Sequence, residues 1–137
     1  MIVLVDTPVW SLVLRRKPRD LSSDEQCTTK ALVELIQEGR ARLVGAVRQE
    51  LLSGIREEER FNKLRHYLRA FDNPVMGTED FEEAASMSNR CRARGIAGSP
   101  IDFLICAVAY HRQWQIFTTD RDFAHFAKVL PLELYLS

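Results

Sequence analysis

Ile2-Val3-Leu4-Val5-Asp6-Thr7-Pro8-Val9-Trp10 decides how this chain is read. Four consecutive aliphatic residues end on a carboxylate, and a Thr-Pro pair follows. A short unbroken apolar run suits a strand covered on both faces. Proline just inside the next segment suits the first turn of a helix, where its missing N–H has no intrahelical partner to lose. The stretch predicts a buried strand over 2–6 that hands over, at Asp6, to a short helix over 7–14 containing Trp10.

Working outward, the same alternation recurs. After the basic loop Arg15-Arg16-Lys17-Pro18-Arg19, a helix over 23–38 places Ala31, Leu32, Leu35 and Ile36 on one face and stops before Gly39. A second strand is predicted over 41–45 and a helix over 46–53, ending before Gly54. The segment 57–70 carries Phe61, Leu64 and Leu68 at helical spacing, with Glu57, Glu58 and Glu59 at its positive end. A weak strand is predicted around Pro74 over 71–76. Helices over 79–94, closed by Gly95, and over 100–112 follow. A strand over 115–118, a short helix over 121–128 and a last strand over 132–136 complete the pattern. Strand alternating with helix implies a mainly parallel sheet with helices on both faces. In such sheets a site lies beyond the carboxyl ends of the strands, the edge on which Asp6 and Asp120 fall.

The chain has 137 residues, enough for one domain with a real core. Formal net charge is +0, so no global field marks a nucleic-acid or membrane partner, although a basic patch beside an acidic pocket also sums to zero. Cys27, Cys91 and Cys106 form no C-x-x-C and read as reduced, buried thiols of a cytosolic protein. His66, His111 and His125 lack metal-ligand spacing. The N-terminal apolar run has no positive region ahead of it and contains Asp6, unlike a signal peptide. No apolar stretch is long enough to span a bilayer.

Four carboxylates carry the functional reading. Asp6 closes the first strand. Glu50 follows Val47 and precedes Leu51 and Gly54 on the inward stripe of its helix. Asp102 opens the apolar run Phe103-Leu104-Ile105-Cys106-Ala107-Val108-Ala109, and Asp120 follows Ile116-Phe117-Thr118-Thr119. Each has a plainer explanation. Asp6 and Asp120 can cap the helices behind them, and Asp102 can complete a capping box with Ser99 at the N-cap and Pro100 at the first helical position. Glu50 on an apolar stripe is harder to explain as a cap. Taken together, two strand ends and two helices bring four like charges to one sheet edge. They repel one another there unless a divalent cation neutralises them. Oxygen-only donors favour Mg²⁺ or Mn²⁺ over zinc, and such ions promote phosphodiester hydrolysis.

The chain resembles the PIN domain, in particular the VapC-type toxin ribonucleases of toxin–antitoxin pairs. The resemblance lies in Val3-Leu4-Val5-Asp6-Thr7-Pro8-Val9-Trp10, Val47-Arg48-Gln49-Glu50-Leu51-Leu52-Ser53-Gly54, Ile101 to Ala109 and Phe117-Thr118-Thr119-Asp120-Arg121-Asp122-Phe123. These segments run in the family's order and cover nearly the whole chain. The resemblance implies one domain over residues 1–137, an α/β/α sandwich around a mainly parallel sheet, Mg²⁺ or Mn²⁺ in the acidic pocket and endonuclease action on RNA in the cytoplasm. It also implies a homodimer and a small antitoxin that blocks the site. Position by position, Asp6, Glu50, Asp102 and Asp120 take the family's acidic places, catalytic and metal-binding. Thr118 takes its hydroxyl place, and Asp122 is an optional fifth acid. Pro8 departs from the family's usual Ser or Asn and loses one hydrogen-bonding group near the metal.

Rival classes fit less well. A phosphatase of the haloacid dehalogenase type needs a second Asp two positions after the first, where Pro8 stands. A receiver domain needs adjacent acids after its first strand and a later Lys, neither of which is found. The remaining alternative is a catalytically silent PIN-like module that holds RNA or a protein without cutting. For RNA, Arg15, Arg16, Lys17, Arg19, Arg40, Arg42 and Arg48 are candidate phosphate contacts. Trp10 and Trp114 are better placed for core packing than for stacking on bases.

Overall fold

Val3–Val5 forms the central strand β1, fully buried, in a computed structural model that describes residues 1–136. β2 (Ala41–Arg42) pairs with one side of it and β3 (Gln115–Phe117) with the other, both parallel, in the order β2-β1-β3. The register places Val3 opposite Ala41 and Gln115, and Val5 opposite Phe117. A strand saturated on both edges and covered on both faces must be apolar throughout, as Val3-Leu4-Val5 is.

Among the described residues seven α-helices flank this sheet in a three-layer α/β/α arrangement: α1 (Thr7–Leu14), α2 (Ser23–Gln37), α3 (Gly45–Leu52), α4 (Glu58–Leu68), α5 (Thr78–Ala93), α6 (Pro100–Arg112) and α7 (Asp122–Phe126). α2 begins in a reciprocal capping box, with the Ser22 hydroxyl accepting from Glu25 N–H and the Ser22 N–H donating to the Glu25 carboxylate. α5 and α6 pack on each other as an antiparallel pair joined through Gly95, whose φ of +76° favours glycine. Trp10, Phe103, Phe123 and Phe126 fill the core with Leu4, Leu32, Leu35, Leu43, Leu51 and Ile105. The Trp10 indole N–H donates to the Val5 carbonyl at 3.1 Å, which satisfies its one buried polar atom.

Three expectations fail here for identifiable reasons. Residues 71–76 form no strand. The Leu68 and Phe71 carbonyls accept from the Arg48 guanidinium instead, and Asn73 Oδ1 accepts from Arg48 Nε at 2.9 Å. The last strand, expected over 132–136, shrinks to a single parallel bridge between Ile116 and Leu134. It is fixed by Ile116 N–H on the Glu133 carbonyl and Tyr135 N–H on the Ile116 carbonyl. Cys27 is exposed, whereas Cys91 and Cys106 are buried.

Candidate active site

Parallel pairing brings the first two site residues together. Because Val5 and Phe117 are in register, the residues that follow them leave the sheet side by side. Asp6 N–H donates to the Phe117 carbonyl at 2.9 Å, and the Thr118 hydroxyl donates to Asp6 Oδ2 at 2.8 Å. Thr118 Oγ1 also accepts from Asp120 N–H at 3.0 Å, so one hydroxyl fixes both acids. The other oxygen of Asp6, Oδ1, caps α1 by accepting from Thr7 N–H at 2.8 Å.

Asp102 arrives from α6 by a different route. Gly98 lies against the packed rings of Phe103 and Phe126, whose centroids are 4.9 Å apart. A Cβ there would stand 2.5 Å from Phe126 Cζ, so only glycine lets the loop pass this close. Ser99 then starts the helix: its hydroxyl accepts from Asp102 N–H at 3.1 Å, and its N–H donates to Asp102 Oδ2 at 3.0 Å. The capping box is real, and Asp102 lines the cavity as well.

Glu50 is exposed near the end of α3, while its neighbours Val47 and Leu51 are buried. It sits at the edge of the apolar stripe and not within it. The Thr7 hydroxyl donates to Glu50 Oε2 and turns that carboxylate toward α1. Thr7 has a role that the sequence reading did not assign. The available signal was a hydroxyl directly after the strand-end acid.

Asp6, Glu50, Asp102 and Asp120 line one cavity of about 220 Å³, together with Thr7, Pro8, Ser99 and Ile101. Asp122 lies just outside, its N–H donating to Asp120 Oδ1 at 2.9 Å. Burial raises the carboxyl of Asp6 to about 6, and Asp102 and Asp120 push in the same direction. The hydrogen bonds from Thr118 and Thr7 pull it back only in part. Burial also raises Asp102, with Asp120 and Asp122 adding to the shift. Burial, with Asp102 and Asp6 adding, also pushes the Cys106 thiol up, so this buried sulfur stays neutral.

The donor set fits a hard divalent cation: four carboxylates, no nitrogen or sulfur facing in, and a raised acid in search of positive charge. Asp6, Glu50, Asp102 and Asp120 are the residues that would hold it. Among the described residues no three potential ligands already converge on a common point. Each of the four spends at least one oxygen on Thr7, Thr118, Ser99 or Asp122.

The other candidates divide. Arg15, Arg16 and Lys17 are exposed at the end of α1, and Arg15 and Arg16 line a cavity next to Pro8. Arg48 is not placed to grip phosphate. Its guanidinium is spent on Asn73, Leu68 and Phe71, where it ties α3 to the end of α4. Trp10 is buried and Trp114 half-buried.

The fold is shared with several solved structures. FitAcB from Neisseria gonorrhoeae superposes with a TM-score of 0.73 at 19% identity, covering 98% of this chain and 97% of that one. VapBC2 from Rickettsia felis, bound to a DNA fragment from its promoter, gives 0.72 at 16% identity with 98% of each chain covered. VapBC-1 from nontypeable Haemophilus influenzae gives 0.73 at 14% identity, covering 98% and 97%. No curated protein matches in sequence. The PIN domain family matches residues 3–129, nearly the full length, and this chain belongs to that family.

Proposed function

We propose that the protein is a metal-dependent endoribonuclease, a single nuclease unit over residues 1–137, acting as the toxin of a toxin–antitoxin pair. The observation that carries the reading is one cavity lined by Asp6, Glu50, Asp102 and Asp120, all four supplied by separate helices or strand ends far apart in sequence. Membership of the PIN family supports nuclease chemistry. The similarity to FitAcB, VapBC2 and VapBC-1, and to a structure described as a toxin–antitoxin complex from Klebsiella pneumoniae, supports a small antitoxin partner.

When bound, Mg²⁺ or Mn²⁺ supplies charge neutralisation and acidifies water at the scissile phosphodiester. The chain's own residues do the positioning. Asp6 and Asp120 are held by Thr118, Asp102 by the Ser99 cap, and Glu50 by Thr7. The preformed network means that little side-chain ordering remains when substrate arrives. The protein works as a homodimer in the cytoplasm under this reading, and among the described residues no helix is long and apolar enough to cross a membrane.

The test is cleavage of RNA by the purified protein with Mn²⁺ and with EDTA. Cleavage that needs the cation, and that Asp102→Asn removes, supports the proposal. RNA binding without any cleavage under either condition favours the silent binding module instead.

A further inference from the structure

A groove of about 450 Å³ runs along the α5–α6 pair, walled by Phe81, Ala85, Ser88 and Arg92 of α5 and by Ile101 and Leu104 of α6. Two of these side chains lack a partner. The Phe81 ring is 55% exposed. Arg92 is exposed and, among the described residues, forms no ion pair. The neighbouring arginines are used differently, since Arg90 faces Glu83 at 3.8 Å and Arg112 is spent on Asp80. Ile101 lines the carboxylate cavity as well, so the groove and the candidate site share a wall.

The four α5 residues are spaced 4, 3 and 4 apart, which puts them in one row along the helix. Phe81 and Arg92 end that row, roughly 16 Å apart along the axis. The spacing reads the same in both directions, and the chemistry of its ends is complementary. If a second α5 lies antiparallel on the first, Phe81 of each meets Arg92 of the other, and Ala85 of each meets Ser88 of the other. A guanidinium over an aromatic face is an attractive pair. The small residues at the middle let the two helix axes approach closely. Glu82 is exposed one residue beyond Phe81, within reach of the same arginine of the second copy.

We propose that a second copy of this chain docks on this face about a two-fold axis between Ala85 and Ser88, with α5 antiparallel on α5. The inference rests on the reading above for its homodimer alone, and it names the face that the homodimer uses. An isologous contact requires one patch to be complementary to itself, and this row is. A foreign apolar helix could fill the middle of the groove, but it would have no reason to match a face whose own two ends pair with each other. The shared wall at Ile101 sets the second copy against the rim of the carboxylate cavity.

Sedimentation equilibrium of the full chain, in EDTA and without RNA, gives the monomer–dimer Kd of the parent and of variants that circular dichroism shows to be folded. Phe81→Ala and Arg92→Ala should each raise Kd at least ~10-fold, because two-fold symmetry removes every contact twice. Ala85→Arg, which puts a long charged side chain at the closest approach, should raise it further. The decisive pair is Arg92→Glu against Glu82→Arg/Arg92→Glu. The single reversal brings two acids together across the interface and should weaken the dimer most. The double exchange restores opposite charges and should bind at least ~10-fold more tightly than the single reversal. A parent that dimerises while these variants keep its Kd overturns the face and leaves the homodimer standing. A double exchange no tighter than Arg92→Glu overturns the antiparallel pairing. A parent that stays monomeric up to about 1 mM overturns the homodimer and this face with it. RNA cleavage enters none of these readouts, so the nuclease reading stands or falls separately.

Discussion

Asp6 and Asp80 are the buried acids among the described residues, each 5% exposed, and the protein treats them in opposite ways. Asp80 lies in the first turn of α5 and meets cations. The Arg112 guanidinium donates to both its oxygens at 3.0 and 3.2 Å, the His111 ring stands 2.8 Å from Oδ1, and Gly77 N–H donates to Oδ2 at 3.1 Å. Arg112 holds the Asp80 carboxyl down at about 2 despite its burial. Asp6 is as deeply buried but has only a hydroxyl and one backbone N–H, and its charged neighbours are other acids. One carboxylate clamps the α5–α6 pair. The other is hydrogen-bonded at a sheet edge but has no cation beside it, at a cost to the metal-free fold. A fold tolerates such a group where something outside the chain completes it.

The sharpest way to break this contrast is to neutralise each acid in turn. Asp6→Asn should lower RNA cleavage by more than ~100-fold, as should Glu50→Gln, Asp102→Asn and Asp120→Asn, because shared ligands fail together. Asp80→Asn should leave kcat/KM within a few-fold. Stability should move the other way. Asp80→Asn strands Arg112 and should cost about 2–3 kcal/mol by urea titration. Asp6→Asn, whose amide oxygen can still cap α1, should gain up to about 3 kcal/mol in EDTA at neutral pH, the equivalent of its raised pKa. If Asp6→Asn destabilises and Asp80→Asn inactivates, the roles assigned here are reversed.

Adding cation should sharpen the comparison. Mn²⁺ at a hundredfold excess over Kd should stabilise the parent by about 2.7 kcal/mol, and Asp80→Asn equally. Asp6→Asn should gain less. An equal metal shift in all three, or none, removes the cation site.

The pH profile separates the two acids without any substitution. A folded-state pKa of about 6 against 3.8 unfolded means that the native state takes up the Asp6 proton first. The Asp6 penalty is therefore complete above pH 6 and relieved as pH falls toward 4, so stability in EDTA should rise on mild acidification. Asp80, at about 2 when folded, contributes fully above 3.8 and loses that contribution as pH falls toward 2. Thermal midpoints should climb from pH 7 to about 5 and drop below pH 4. Asp6→Asn should flatten the upper limb and Asp80→Asn the lower.

The contrast also shows what a sequence discloses. The strand-end position of Asp6 and Asp120, the box Ser99-Pro100-Ile101-Asp102 and the helix Pro100–Arg112 follow from local rules: period, proline placement and capping. Their convergence follows from parallel topology. Asp80 escaped notice because its partners lie thirty residues on, at the far end of α6, and no local pattern ties Thr78-Glu79-Asp80 to His111-Arg112. Arg48 looks like a phosphate contact in sequence for the same reason, since its carbonyl partners at Leu68 and Phe71 are set by packing. The 71–76 and 132–136 segments look like strands in sequence because apolar residues near a proline resemble an edge strand until the ladder partners are known.

The finest probe is Thr118, which links the raised acid to its neighbour. Its hydroxyl donates to Asp6 Oδ2 and accepts from Asp120 N–H. Thr118→Val keeps the shape and removes both bonds. Asp6 then loses a donor that favours its ionised form, so its pKa should rise further, and the Asp120 N–H is left without an acceptor. Stability in EDTA at pH 7 should fall by about 1 kcal/mol. At pH 4, where Asp6 is protonated in the folded state, a hydroxyl donor matters less to it and the loss should shrink toward the Asp120 contribution alone. Thr118→Ser should restore the parent profile. A Thr118→Val penalty that stays constant from pH 7 to 4 would mean that the hydroxyl supports the backbone of the β3 end and leaves the Asp6 proton untouched.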